Sequence, residues 1–331
     1  MKAIIPVAGV GSRLRPHTFT QPKVLLNVAG KPILGHILDN LVASGVTEVT
    51  PVVGQMGDLI EAYIRKNYSI PCEFVVQTEP KGLADAVSLG LKHDDKEVLV
   101  ILGDTIFETD IKSVIRDCQT TSIGVRTVED ARRFGVVETT DNGRVSRLVE
   151  KPEVPKSNLV IVGIYLIRNA PLLRKCIDLL FERKLTTRGE YQLTDALQLM
   201  IEHGEAITTF PVSDWFDCGK PETLLATNRH LLDTLNTGKQ ERRDGALIVP
   251  PVYIHPDAVL ERAIVGPYAT IGAGAVVRDA MVQDSVLGEG ARVESALVTG
   301  SLVGNNSCIT GHFLRYNLGD SSEIASGPAA D

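Results

Sequence analysis

A chain of 331 residues is long enough for two domains, each with its own core, and 44% hydrophobic with 23% charged residues is the balance of a soluble globular protein. The formal charge of −7 argues against general nucleic-acid binding, which favours a basic surface. Five widely spaced cysteines (Cys72, Cys118, Cys176, Cys218 and Cys308) form no Cys-x-x-Cys pair and exclude a disulfide framework or zinc site, and no apolar run reaches the roughly 18 residues of a membrane span.

The chain opens on an apolar run, Ala3 to Val7. It leads straight into Ala8-Gly9-Val10-Gly11-Ser12-Arg13-Leu14-Arg15-Pro16-His17-Thr18, and then Gln21-Pro22-Lys23. This order predicts a buried strand feeding a phosphate-binding turn. Glycines at 9 and 11 let the backbone bend tightly and approach a ligand, and amides exposed in such a turn form an anion-binding concavity. Ahead of Asp39 there is no acidic residue, whereas Lys2, Arg13, Arg15, Lys23 and Lys31 are all present. A knot of cations in an acidic chain reads as a seat for a polyphosphate. Two commoner loops fail on spacing. A dinucleotide fold wants glycine where Leu14 stands, and a Walker loop ends Gly-Lys-Ser/Thr, whereas the Gly-Lys pairs at 30, 219 and 238 run on into Pro32, Pro221 and Gln240.

Beyond the turn, Ile33, Ile37, Leu38, Leu41 and Val42 mark one stripe of a helix from Ile33 to Ser44, with Gly45 as its stop. Strands are predicted at Glu48–Val53, Glu73–Gln77 and Val98–Leu102, with helices at Asp58–Asn67 and Leu83–Leu91 between them. Such alternation means right-handed crossovers and a mainly parallel sheet, whose ligands sit at the carboxyl ends of the strands, where Gly9, Gln77 and Asp104 fall. Gln77 opens Gln77-Thr78-Glu79-Pro80-Lys81-Gly82-Leu83-Ala84-Asp85-Ala86. Its amide both donates and accepts, so it can pair with the edge of a nucleobase, although taken alone it is a polar strand end. Asp104 closes the apolar run Val98–Gly103, and Asp217 lies in Trp215-Phe216-Asp217-Cys218-Gly219-Lys220-Pro221. Capping is the ordinary role of such an aspartate, whereas magnesium takes one or two carboxylates together with phosphates and waters.

From Ser122 the helices give way to strands. Phe134-Gly135-Val136-Val137 and Arg144–Val149 flank Asp141-Asn142-Gly143, a hairpin signal. Glu150-Lys151-Pro152 and Pro155-Lys156-Ser157-Asn158 follow, then Ile161 and Val162-Gly163-Ile164-Tyr165. Arg188-Gly189-Glu190-Tyr191-Gln192-Leu193-Thr194-Asp195 opens a helix to about His203, and Pro221 to about Leu235 is the last helix of a domain over 1–237. The polar, glycine-flanked stretch 238–246 reads as a linker. From Ile254 a new rhythm begins: Val265-Gly266, Ile271-Gly272, Val277-Arg278, Leu287-Gly288, Val293-Glu294, Val303-Gly304 and Ile309-Thr310 recur at six residues or near multiples, with small Ala269, Ala275, Ala291 and Ser307 between them. Hexapeptide spacing predicts a β-helix of about three coils over 247–319, with a flexible tail at 320–331.

These motifs, in this order, resemble the sugar nucleotidyltransferases (nucleotide-diphosphate-sugar pyrophosphorylases), most closely the long-form glucose-1-phosphate thymidylyltransferases. The resemblance implies a Rossmann-like α/β nucleotidyltransferase sheet followed by a short left-handed β-helix. It implies that Ala8, Gly9, Gly11, Ser12 and Arg13 wrap a nucleoside triphosphate, with Arg13 and Lys23 on its phosphates and Gln77 and Gly82 on a pyrimidine. Asp104 and Asp217 would hold Mg²⁺, Gly135, Glu150 and Ile161 would line the sugar, and Lys151 would meet the sugar phosphate. One departure stands out: the thymidylyltransferases usually carry Asn after Gly-Asp, and this chain carries Thr105. The implied reaction is Mg-dependent transfer from dTTP or UTP to glucose-1-phosphate. Alternatives are UTP with N-acetylglucosamine-1-phosphate, with acetyl transfer at His312 on the β-helix, GTP with mannose-1-phosphate, and a silent regulatory subunit. Reduced thiols and an N-terminus broken by Pro6 and Gly9, hence no signal peptide, lead to the expectation of a cytoplasmic homo-oligomer joined through the β-helix, with no membrane or nucleic-acid partner.

Overall fold

Ala3, Ile4 and Ile5 have no solvent exposure. A strand apolar on both faces is stable only inside a sheet covered by helices, so β1 sits at the sheet's centre. A computed structural model describes residues 1–235, 241–243, 245–313, 318–319 and 321–322. The chain forms two units, Met1–Leu235 and Asn236–Asp331.

The first unit runs β1 (Lys2–Pro6), the short pair β2 (Asn27–Val28) and β3 (Lys31–Pro32), α1 (Ile33–Ala43), β4 (Glu48–Val53), α2 (Gly57–Asn67), β5 (Val75–Val76), α3 (Leu83–Gly90), β6 (Val98–Ile101), β7 (Thr105–Glu108) and α4 (Ile111–Asp117). It continues with β8 (Thr121–Thr127), β9 (Gly135–Thr139), β10 (Val145–Glu150), β11 (Leu159–Ile167), α5 (Ala170–Glu182), α6 (Leu193–Glu202), β12 (Ile207–Pro211), β13 (Asp214–Asp217) and α7 (Pro221–Leu235). Nine strands form one sheet in the order β10-β9-β11-β6-β1-β4-β5, with β8 beside β11 and β12 beside β8. β1 is parallel to β4 and β6, as β4 is to β5 and β8 to β12, whereas β11 runs antiparallel to β6. The central sheet is therefore mixed but mainly parallel. The apolar stripes of α1 and α2, Ile33-Leu34-Ile37-Leu38-Leu41 and Ile60-Ile64, are buried, but Val42, expected on the α1 stripe, is exposed and Leu34 takes its place. The strand expected over Glu73–Gln77 is only Val75–Val76 long, since it lies at the sheet's end with pairing on one side. The hairpin at Asp141-Asn142-Gly143 joins β9 to β10, antiparallel, with Gly143 at φ +75.

The second unit is a parallel β-helix. β15 (Ala246–Ile248), β18 (Ile264–Val265), β21 (Met281–Gln283) and β24 (Leu297–Thr299) stack on one face. β16 (Val252–Ile254), β19 (Ala269–Ile271), β22 (Val286–Leu287) and β25 (Leu302–Val303) form the second face, and β17 (Val259–Glu261), β20 (Val276–Arg278), β23 (Arg292–Glu294) and β26 (Cys308–Thr310) the third. Three parallel sheets built from a hexapeptide rhythm are the arrangement of a left-handed β-helix. Val265, Ile271, Val277, Val282, Leu287 and Val293 fill its axis, and Ala269, Ala275 and Ala291 are fully buried where the coil turns. Part of the stretch expected as a linker is structured: β14 (Glu241–Arg243) pairs antiparallel with β15, because its backbone groups complete the first edge of the stack. Residues 236–240 and 244, and nearly all of the expected tail, lie outside the described residues.

Candidate active site

Three strand ends converge on one cleft of about 360 Å³, lined among others by Ala8, Gly9, Lys23, Gln77, Gly82, Asp104 and Glu190. After β1 the chain enters the glycine turn, whose second glycine has a structural duty. Gly11 adopts φ +64, and a Cβ there would lie 3.0 Å from Lys23 Cβ and 3.1 Å from Thr18 Cγ2. Thr18 Oγ1 donates to the Gly11 carbonyl at 2.8 Å and holds the turn shut. Gly9 differs: a Cβ there would meet nothing within 4 Å, so its lack of a side chain serves the cleft it lines. Ser12–Leu14 form a single 3₁₀ turn that buries Leu14 and leaves Ser12 and Arg13 exposed.

At the end of β5, Gln77 is buried, with its backbone N–H on the Val53 carbonyl at 2.8 Å. Its Nε2 donates to the Gly82 carbonyl at 3.2 Å and to Asp85 Oδ2 at 2.7 Å. Both partners are acceptors, so the amide orientation is set by chemistry and Oε1 is the atom left over. Gly82 has φ +122, and a Cβ there would lie 2.4 Å from the Tyr191 carbonyl oxygen and 2.7 Å from its nitrogen. The two quoted motifs, 77–86 and 188–195, thus meet backbone to backbone.

At the end of β6, Asp104 leads into β7, which pairs antiparallel with β13 so that Asp217 is opposite Thr105. The Cys218 N–H donates to the Asp104 carbonyl at 3.0 Å, which locks the two aspartates side by side. Lys23 Nζ donates to Asp104 Oδ2 at 2.5 Å, with only 11% of the lysine side chain exposed. Burial alone would raise the Asp104 carboxyl, but the Lys23 ammonium outweighs it and holds the group below its ordinary value. The Asp217 carboxyl is pushed up, first by burial and then by the negative charge of Asp104. Arg13 reaches the same place: a Cβ on Gly219 would sit 2.8 Å from Asp217 Oδ1 and 2.9 Å from Arg13 Nη2. Two repelling carboxylates that offer only oxygen are a donor set suited to a hard divalent cation such as Mg²⁺. Cys218 between them is no nucleophile, since burial pushes its thiol up to about 12.

The predicted sugar residues also gather. Gly135 is the register partner of Glu150, and a Cβ on Gly135 would lie 3.0 Å from Ile161 Cδ1 and 3.1 Å from Glu150 Oε2. Lys151 Nζ is 2.9 Å from Glu150 Oε1, with Lys151 held at φ +44. Tyr165 ties this group to the metal end: burial raises its hydroxyl, and the charges of both Glu150 and Asp104 raise it further.

Several contributors were not singled out from sequence. Thr194 Oγ1 donates to Glu150 Oε2 at 2.7 Å, Arg188 donates to the Lys151 carbonyl at 3.2 Å, and Asp85 aims Gln77. Asp85 stands in the first turn of α3, where helical geometry returns its side chain toward Gln77. A separate group, Glu108, Asp214 and His230, brings ligand atoms within 4.8 Å of one another at the far end of the β7–β13 pair, with His230 Nε2 2.7 Å from Glu108 Oε1. Its members are remote from one another in sequence, although Asp214 directly precedes the Trp215–Pro221 stretch.

The family model described as nucleotidyl transferase matches residues 2–234. A UTP–glucose-1-phosphate uridylyltransferase, AglF of Haloferax volcanii, is 35% identical over 67% of this chain and 93% of its own. A glucose-1-phosphate thymidylyltransferase of Streptomyces griseus is 30% identical over 87% of each chain, a match that runs past the first unit of this one. A Bacillus anthracis chain, solved with sucrose as a candidate glucose-1-phosphate thymidylyltransferase, superposes with a TM-score of 0.62 at 29% identity, covering 72% of this chain and 98% of that one. With its first unit matched almost end to end, this chain belongs to the nucleotidyl transferase family and is an enzyme of the sugar-1-phosphate nucleotidyltransferase class.

Proposed function

We propose that the enzyme transfers a pyrimidine nucleotide, dTMP or UMP, from dTTP or UTP to glucose-1-phosphate. The observation that carries the base choice is Gln77, whose Nε2 is committed to Gly82 and Asp85. The remaining Oε1 accepts only, and so suits a base that presents a ring N–H, as thymine and uracil do at N3. Cytosine presents an acceptor at N3 and would face Oε1 lone pair to lone pair. Guanine has a ring N–H but also a second ring and an amine, which would leave buried polar groups unpaired at about 1–3 kcal/mol each. Both relatives named above act, by their names, on glucose-1-phosphate.

In the reaction an oxygen of the sugar phosphate attacks the α-phosphorus of the triphosphate. The bond from that phosphorus to the bridging oxygen breaks, and pyrophosphate leaves. Little is asked of the protein beyond positioning and charge. Arg13 and Lys23 hold the triphosphate oxygens and oppose the charge that develops on them. Lys151 aligns the attacking phosphate, while Glu150, steadied by Thr194, accepts from sugar hydroxyls beside Gly135 and Ile161. Asp104 and Asp217 would hold Mg²⁺, which when bound neutralises phosphate charge and orients the triphosphate.

The test is a matrix of dTTP, UTP, CTP and GTP against glucose-, N-acetylglucosamine- and mannose-1-phosphate. The expected kcat/KM is highest for dTTP or UTP with glucose-1-phosphate and falls about tenfold to a hundredfold for CTP and GTP, one decade per 1.4 kcal/mol. A methyl group is worth only about 1 kcal/mol, so dTTP and UTP should differ by less. A higher kcat/KM for GTP with mannose-1-phosphate overturns the reading.

A further inference from the structure

Three side chains able to ligate a metal gather outside the triphosphate cleft. Glu108 ends β7, Asp214 opens β13 and His230 lies on α7, yet one ligand atom from each falls within 4.8 Å of the others. Strand register brings the first two together, for Glu108 is directly opposite Asp214 in the antiparallel β7–β13 pair. Like charges facing each other across a ladder repel. The next two rungs carry no such conflict, with Phe107 opposite Trp215 and Ile106 opposite Phe216.

Two carboxylates alone would be no more than a solvated acidic edge. The histidine changes the chemistry. α7 brings His230 Nε2 to 2.7 Å from Glu108 Oε1. The Phe216 ring lies against the imidazole, with centroids 4.3 Å apart and planes at 33°. Phe216 and Asp214 are two residues apart and share one face of β13, so the strand that offers a carboxylate also fixes the plane of the imidazole. Arg126 Nη1 stands 3.5 Å from Asp214 Oδ1, at the limit of a hydrogen bond, and leaves the second carboxylate oxygen for another partner. The Glu108, Asp214 and His230 side chains are 46%, 40% and 25% exposed, so an ion can reach them and keep a water of its own.

We infer that Glu108, Asp214 and His230 form a second metal site, for a transition-metal dication such as Zn²⁺, distinct from the Asp104–Asp217 pair. The donor atoms sort the two metals. Asp104 and Asp217 offer oxygen alone and suit Mg²⁺, whereas an imidazole joined to two carboxylates selects a softer ion. Zinc takes three such ligands plus water in a tetrahedron, whose bonds of about 2.1 Å set the ligand atoms roughly 3.4 Å apart. The pair at 2.7 Å therefore opens by less than about 1 Å, and the third ligand is already in reach. On binding, the proton shared by His230 Nε2 and Glu108 Oε1 passes to water and both atoms turn a lone pair to the ion. The bound ion relieves the cross-strand repulsion and ties α7 to one end of the β7–β13 pair. The other end of that pair carries Asp104 and Asp217, so the site is a strut for the active site and takes no part in the reaction.

The test is calorimetric titration of the metal-free full chain with zinc chloride, with Mg²⁺ present in excess to fill the all-oxygen pair. One zinc per chain is expected, with a Kd in the micromolar range, weaker than four-ligand structural zinc because three side chains and a water hold it. Cobalt(II) at the same site should give the visible absorption of a tetrahedral ion, and saturating zinc should raise the melting temperature of the first unit by several degrees. His230→Ala and Asp214→Asn should each weaken zinc binding at least tenfold, with nucleotidyl transfer in Mg²⁺ unchanged. Asp104→Asn should leave zinc binding as it was. The inference is overturned if the wild-type chain takes up no zinc at millimolar concentration, if binding survives undiminished in both His230→Ala and Asp214→Asn, or if Asp104→Asn abolishes it. None of these outcomes depends on which nucleotide the enzyme uses.

Discussion

At the scale of single residues, Lys23 decides most. The sequence places it in an acid-free basic stretch, and the structure seats its ammonium on Asp104 with little exposure. A nearly buried ammonium needs a negative partner, and a triphosphate can take over that part from Asp104. Lys23→Ala should lower kcat/KM by roughly a hundredfold or more, the scale of a lost transition-state charge contact, with the fall in kcat exceeding the rise in KM. Steady-state kinetics on a variant with an unchanged circular dichroism spectrum would check this, and wild-type turnover would remove Lys23 from the phosphate. Gly9 and Gly11 illustrate how far residue type carries. Both were legible as turn glycines, but only coordinates separate Gly11, held at φ +64 where a Cβ would crowd Lys23 and Thr18, from Gly9, where a Cβ would meet nothing within 4 Å.

Elements add what residues cannot. α3 turns Asp85 back onto Gln77, and the loop before α6 presses the Tyr191 backbone against Gly82. Gly82→Ala would force a Cβ to 2.4 Å from a backbone oxygen at φ +122, where neither the conformation nor the contact can relax cheaply. The expected result is a loss of about 3 kcal/mol of stability, seen as a drop of several degrees in melting temperature, together with a fall in pyrimidine nucleotide affinity. An alanine variant as stable as the parent would mean that the 188–191 loop is not held as described. Helices α1 to α3 were legible because each buries a clear apolar stripe, whereas the strand at 73–77 was drawn too long. Strand length depends on neighbours across the sheet, and propensity along the chain carries no record of them.

The whole molecule comprises two units, each with a core of its own: one under the nine-stranded sheet and one along the axis of the β-helix. Such a chain need not unfold in one step. Calorimetry is expected to show two transitions, and saturating UTP or dTTP with Mg²⁺ should raise only the one belonging to the first unit, by about 2.7 kcal/mol at a hundredfold excess over Kd. A single transition that moves as a whole would contradict this. The sequence by itself determined the reaction class, the alternation of strands and helices, and the β-helix, because glycine turns, periodicity and hexapeptide spacing are local signals written within a few residues. Tertiary structure alone decided that Lys23 pairs with Asp104, that Thr194 and Arg188 support Glu150 and Lys151, and that Arg278 bridges Glu261 and Glu294 across successive coils of the β-helix. These partners are far apart along the chain, and which side of a strand faces outward depends on how the coil closes.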